Sequence, residues 1–144
     1  MKIFTIGFTK KSAEEFFTRL KDAGVRRVLD IRLNNTSQLA GFAKARDLEY
    51  FLRSIANIGY IYVPELTPTE ALLDAYRKNK GPWSDYEHGF LQLLDERRVA
   101  ETLPKKQFDH GCLLCGEDTP EHCHRRLVAE YLQKRWRGLE IVHL

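Results

Sequence analysis

The stretch Gly111-Cys112-Leu113-Leu114-Cys115-Gly116-Glu117-Asp118-Thr119-Pro120-Glu121-His122-Cys123-His124-Arg125-Arg126-Leu127-Val128 decides how this chain is read. Its first part, residues 112–115, is a short apolar run closed by Gly116, the pattern of a strand buried on both faces. Its last part continues into a helix whose inward face carries Leu127, Val128, Tyr131 and Leu132. Between them Thr119 suits an N-cap and Pro120 the first helical position, so the spacing predicts a helix opening there.

Working outward, residues 3–6 form a second apolar run, closed by Gly7. Ser12 follows as an N-cap with Glu15 at the capping-box spacing, then Phe16, Phe17 and Leu20 as a helical stripe, and Gly24 as its stop. Residues 28–32 read as a strand, followed by a polar loop through Asn34, Asn35, Thr36 and Ser37. Residues 47–58 predict a helix with Leu48, Phe51, Leu52 and Ile55 on one side. Gly59 stops it, and residues 60–63 make a strand ended by Pro64. A helix opens within residues 67–70, carries Leu72, Leu73 and Tyr76, and breaks at Gly81-Pro82. Another spans residues 84–99 on Tyr86, Phe90, Leu91 and Leu94, and residues 139–143 close the chain as a strand. Strands alternating with helices predict one three-layer α/β domain over residues 1–144, with a mainly parallel sheet of about five strands.

Composition is that of a globular protein, 43% hydrophobic and 30% charged. A net charge of +3 favours an anionic partner mildly, without the basic stripe that nucleic-acid binding alone would demand. The basic clusters Arg125-Arg126 and Lys134-Arg135-Trp136-Arg137 read first as solvated helix faces. No apolar run approaches the ~18 residues of a membrane helix. The opening Met1-Lys2-Ile3-Phe4-Thr5-Ile6 is too short and strand-like for a secretory signal. Three cysteines is an odd count for a disulfide framework, so a reducing cytoplasm is the expected compartment.

In a parallel sheet the carboxyl ends of the strands share one edge, where ligands bind. Polar chemistry collects at three of these ends: Gly7 and Thr9, then Asp30 and Arg32, then Cys115 and Glu117. On a helical wheel His124 sits near the centre of the inward face, with Cys123 and Arg125 at its borders, while Arg126, Glu130 and Gln133 point to water. A helix N-terminus favours an anion or thiolate by roughly 0.3–1 kcal/mol at an exposed site. The expected site therefore has Arg32 and Arg125 holding an anionic, phosphate-bearing ligand, a nucleotide or nucleic acid, with Asp30, Cys123 and Thr9 beside it. Cys115 serves as nucleophile or redox thiol, and Glu117 or His124 moves protons. Structural uses compete with these roles. Cys112 reads as a core residue, His124 as a hydrogen-bonded core histidine, and Asp30 with Arg32 as a mutual pair.

Several specific chemistries fail on spacing. A zinc site of Cys112, Cys115, Cys123 and His124 is disfavoured, because strand residues three apart face opposite sides; the expectation is no metal. A tyrosine-phosphatase loop needs an Arg six residues after its Cys, and that position is Glu121. The Asp30-Ile31-Arg32 strand end suits a rhodanese-like sulfur-transfer fold, but the loop after Cys115 is too long. A redox pair of Cys115 and Cys123 stays open. No Gly-rich phosphate loop, nucleophile-elbow serine or His-Glu-x-x-His helix occurs, so no cofactor is implied. Tyr60, Tyr62, Tyr76, Trp83 and Tyr86 read as core, or as rings for stacking on bases.

Leu113-Leu114-Cys115-Gly116-Glu117 with Pro120 and Cys123-His124-Arg125 resembles the domain-of-unknown-function 488 family of bacteria and archaea, whose hallmark is Cys-x-Glu, then Pro, then Cys-His-Arg. Thr5-Ile6-Gly7, Asp30-Ile31-Arg32, Ser37, Phe42, Leu48 and Tyr60 extend the resemblance over nearly the whole chain. The family often carries a His after Thr-Ile-Gly, where this chain has Phe8, and Cys112 lies outside the pattern. The resemblance implies an α/β fold and a shared site of Arg32, Cys115, Glu117, Cys123, His124 and Arg125, and it implies no established activity. The expected function is an enzyme on a phosphate-bearing ligand. The alternatives are a non-catalytic nucleotide or nucleic-acid binding module, or a Cys/His site with a structural or redox role.

Overall fold

Among the described residues, five short strands form one sheet in which every pairing is parallel. The computed structural model describes residues 1–36 and 41–144; Ser37 of the expected loop lies outside the described residues. In chain order the strands are β1 (Lys2–Gly7), β2 (Arg27–Asp30), β3 (Gly59–Tyr62), β4 (Gly111–Cys115) and β5 (Glu140–His143). The helices are α1 (Ala13–Ala23), α2 (Ala45–Phe51), α3 (Glu70–Arg77), α4 (Trp83–Glu96), α5 (Val99–Thr102) and α6 (His124–Arg135). Across the sheet the strands stand in the order β3-β2-β4-β1-β5.

The order follows from burial. β4 is buried at every residue and takes the centre, with β1 and β2 hydrogen-bonded to its two sides. The edge strands β3 and β5 are partly exposed and carry Tyr62 and Glu140 to solvent.

Strand alternation divides the interior into two cores. Ile3, Leu29, Ile31 and Leu113 face α4 and α6, packing on Phe90, Leu94, Leu127, Val128 and Leu132. Phe4, Ile6, Val28, Cys112 and Leu114 face α1 and α2, packing on Phe16, Leu20 and Leu48. Helices on both faces make the three-layer α/β arrangement. Ser12 caps α1 by accepting from the Glu15 N–H, and Gly24 ends it at φ 80°. Ser12 thus acts as the predicted N-cap, while the Glu15 carboxylate pairs with Arg19 rather than completing the box.

Two expected helices are broken. The 47–58 element begins at Ala45, passes from α2 into a π-helical turn over Leu52–Ala56, and stops at Asn57 in the left-handed region. The 84–99 element is divided by Arg98 at φ 53°, which starts α5 as a separate turn. Just before it, the Arg97 guanidinium donates to the carbonyls of Glu65 and Thr67, tying the chain to the β3–α3 connection. No helix among the described residues is long and apolar enough to cross a membrane.

Leu132 is fully buried where α6 meets the sheet. Leu132→Ala is expected to cost about 2–5 kcal/mol, read as a lowered urea midpoint with an unchanged slope.

Candidate functional site

Because β1, β2 and β4 are parallel and adjacent, their carboxyl ends do meet at one edge. What they bring together is narrower than the sequence suggested. Ile31, Leu113 and the Cys115 side chain lie on the α6 face, whereas Asp30 shares the α1 face with Leu114. The sheet therefore stands between Asp30 and Cys115.

On the α1 side, Asp30 is fully buried and its carboxylate is saturated. It accepts from Arg32 Nε at 2.8 Å and Nη2 at 2.9 Å, from the Arg32 backbone N–H, from Tyr60 Oη at 2.6 Å and from Asn35 Nδ2. The Arg32 guanidinium also lies over the Phe8 ring, 5.4 Å from its centroid. Burial and the neighbouring carboxylate push the Tyr60 phenol up, keeping it a donor. Asp30 and Arg32 thus form the mutual pair, and they tie β2 to β3.

On the α6 side, the loop after β4 is held by three anchors. Thr9 donates through both its N–H and its hydroxyl to the Gly116 carbonyl. Lys11, buried to 2% exposure of its side chain, reaches Asp118 at 3.0 Å. Arg125 donates from Nη1 to the Glu117 carbonyl at 2.6 Å and from Nη2 to the Asp118 carbonyl at 3.3 Å. Gly7 is required beneath this loop, since a Cβ there would fall inside the Glu117 carbonyl.

The expected meeting of Arg32 and Arg125 around one ligand is thereby corrected. Arg125 is 0% exposed with its Nη atoms committed to backbone carbonyls, and Arg32 is committed to Asp30 on the opposite face. The expected helix start is corrected as well. α6 opens at His124 with Cys123 at the N-cap position, and Thr119 and Pro120 belong to the preceding bends. Arg125 takes the Glu117 and Asp118 carbonyls, which holds the segment against the sheet edge and delays the helix.

The late start places Cys123 and His124 against Cys115. The Sγ atoms of Cys115 and Cys123 and a ring nitrogen of His124 all lie within 4.8 Å of one another. His124 Nε2 is 2.7 Å from the Ile31 carbonyl oxygen, which can only accept, so Nε2 carries the proton. Its Nδ1 faces the Cys115 sulfur at 3.3 Å. Burial alone would push the Cys115 thiol up. The Cys123 thiol, the Arg125 charge and the N–H groups of Gly116 and Glu117 outweigh it and hold Cys115 below the usual thiol range. Burial and the neighbouring Cys115 push Cys123 up. Cys112 is pushed up by burial on the other face.

A narrow crevice, with a cavity volume of only about 10 Å³, leads to this cluster. Leu73, Tyr76, Arg77, Trp83, Tyr86, Glu117 and His122 line it, and Cys115, Cys123 and His124 form its floor. Trp83 stacks on His122 at 5.0 Å and on Tyr86 at 5.1 Å. At the mouth Arg77, half exposed, pairs with Glu117 at 3.2 Å. Of the expected site residues, the cleft collects Cys115, Glu117, Cys123 and His124. Thr9 and Arg125 hold its loop, and Asp30 and Arg32 stay outside it. Arg77 and His122 escaped the sequence reading: Arg77 is an exposed residue with no motif around it, and His122 adjoins the Cys-His-Arg block without being part of its pattern. Tyr76, Trp83 and Tyr86 stood out only as rings at helical spacing.

A family model described as "Domain of unknown function DUF488" matches residues 12–132. The chain belongs to the DUF488 family. The DUF488 match spans α1 to nearly the end of α6, including the cluster and the whole loop before it. No curated protein and no solved structure shows significant similarity to the chain.

Arg125 and Arg126 adjoin in sequence but differ in environment, since Arg126 is partly exposed and pairs with Glu130. Arg125→Met is expected to lower stability by about 1–3 kcal/mol, the scale of leaving a buried acceptor without its donor. Arg126→Met should stay within about 0.5 kcal/mol. Paired denaturation curves check the contrast.

Proposed function

We propose that this DUF488 protein is an enzyme acting on a planar, phosphate-bearing ligand of the nucleotide class, bound across the mouth of the narrow crevice above the cysteine–histidine cluster. The observation that carries the reading is the joining of three features in one cleft: stacked rings, a cation at the mouth, and a buried sulfur–imidazole centre at the floor. A flat base stacking on an aromatic side chain gains roughly 1–3 kcal/mol whatever its identity, and on Trp83 it would take the place of the exposed His122 ring.

Arg77 is the cation for the ligand's phosphate, in the part first expected of Arg32 and Arg125. A phosphate at Arg77 displaces Glu117 from its ion pair and frees that carboxylate to move a proton near the floor. The cysteine–histidine cluster is the reacting centre.

Trp136, the other tryptophan, is buried against Phe108, so quenching of fluorescence reports Trp83. Nucleoside mono-, di- and triphosphates are expected to quench it. Arg77→Ala should weaken binding about tenfold, about 1.4 kcal/mol, and Trp83→Leu should remove the signal. Chromatography of a nucleotide panel should show conversion by the wild type and none by Cys115→Ser. Absence of quenching by every nucleotide at millimolar concentration overturns the reading. Quenching without conversion leaves a binding module in its place.

A further inference from the structure

We propose that Cys115, Cys123 and His124 form a three-ligand site for a divalent cation of the zinc type, with its fourth position open to the cleft. Such an ion would be the reacting centre of the enzyme proposed above, and the site rests on that reading only for the role of its open position.

Ligand geometry is the first support. Zinc takes thiolate at about 2.3 Å and imidazole nitrogen at about 2.0–2.1 Å, so a tetrahedral ion sets sulfur and nitrogen roughly 3.5 Å apart and two sulfurs roughly 3.8 Å apart. Cys115 Sγ and His124 Nδ1 are 3.3 Å apart, and all three donor atoms fall within 4.8 Å of one another. Small adjustments admit the ion.

Histidine orientation is the second. Nε2–H of His124 donates to the Ile31 carbonyl, which presents the Nδ1 lone pair to the two sulfurs. A ring N–H held by a carbonyl is the outer-shell arrangement that fixes a metal-ligating imidazole. The donors are also held in advance of binding. Cys115 ends the central strand, Cys123 and His124 open α6, and the intervening loop is anchored by Thr9, Lys11 and Arg125.

The ligand set also answers the spacing objection raised by Cys112. That residue points to the α1 core and takes no part, leaving two sulfurs and one imidazole. Three protein ligands with an open position is the pattern of catalytic zinc, whereas structural zinc is closed by four. Two thiolates neutralise the dication, so the buried site carries no net charge from ion and ligands together.

Metal analysis of the full chain, expressed with added zinc, tests the site. About one zinc per chain is expected. The chelator-stripped chain should bind cobalt(II) with thiolate-to-cobalt charge transfer and tetrahedral d–d absorption. Cys115→Ser, Cys123→Ser and His124→Ala should each weaken binding by more than the roughly 10–100-fold that loss of an outer partner costs. Cys112→Ala should leave it unchanged. In the wild type, zinc should protect Cys115 and Cys123 from alkylation by mass spectrometry, a readout independent of whether the variants fold. A chain that takes up no zinc or cobalt, or cysteines alkylated equally with and without zinc, overturns the site. Nucleotide quenching by a chain incapable of binding metal sinks the metal site alone. One bound metal without nucleotide quenching sinks the ligand reading alone.

Discussion

The buried guanidinium of Arg125 is the constraint on which the edge of this sheet depends. A charge with no solvent contact is costly unless its donors are used, and Arg125 spends its two Nη groups on the carbonyls of Glu117 and Asp118. Its Nε finds no hydrogen-bond partner among the described residues. The contact exists only because Gly7 leaves room for the Glu117 carbonyl on the face of β1. One glycine and one arginine, from opposite ends of the chain, thus fix the loop that carries the Cys115 backbone donors.

From that loop the rest of the site follows by geometry. Holding residues 116–118 down delays α6 until His124, and the delay turns Cys123 toward Cys115. The imidazole of His124 then bridges the end of β4 to the residue that follows β2, meeting Cys115 on one side and Ile31 on the other. Burial and polarity work together here. The apolar stripe of α6 supplies the packing force, and its first two residues deliver polar groups into a region that would otherwise be core.

Much of this was legible in the sequence, and the misses have physical causes. The strands at residues 3–6 and 112–115 show as apolar runs, and Ser12 with Glu15 marks α1, because these signals are local. Thr119-Pro120 carries sound N-cap chemistry, yet a tertiary bond to Arg125 prevails over it. Asp30 and Cys115 each read as strand-end residues, and only the pairing of Asp30 with Leu114 shows that they face opposite ways. Such pairing is a relation between distant segments, so no window of the chain contains it. Arg77 and Trp83 reach the cleft from α3 and α4, whose placement over the strand ends is set by packing far from the Cys-His-Arg block.

The place of β4 between β1 and β2 has a further consequence, for how the protein is made. The first two strands are never neighbours; β2 can pair with β3 early, but both partners of β1 emerge from the ribosome only after residue 110. Until then α1 and α2 have no continuous surface to rest on, and the nascent chain holds apolar segments that cannot yet be covered. Such non-local pairing slows folding, because chain closure must precede any gain from contact. The strand that completes the sheet ends at Cys115, so the cysteine–histidine cluster can assemble only when the sheet does.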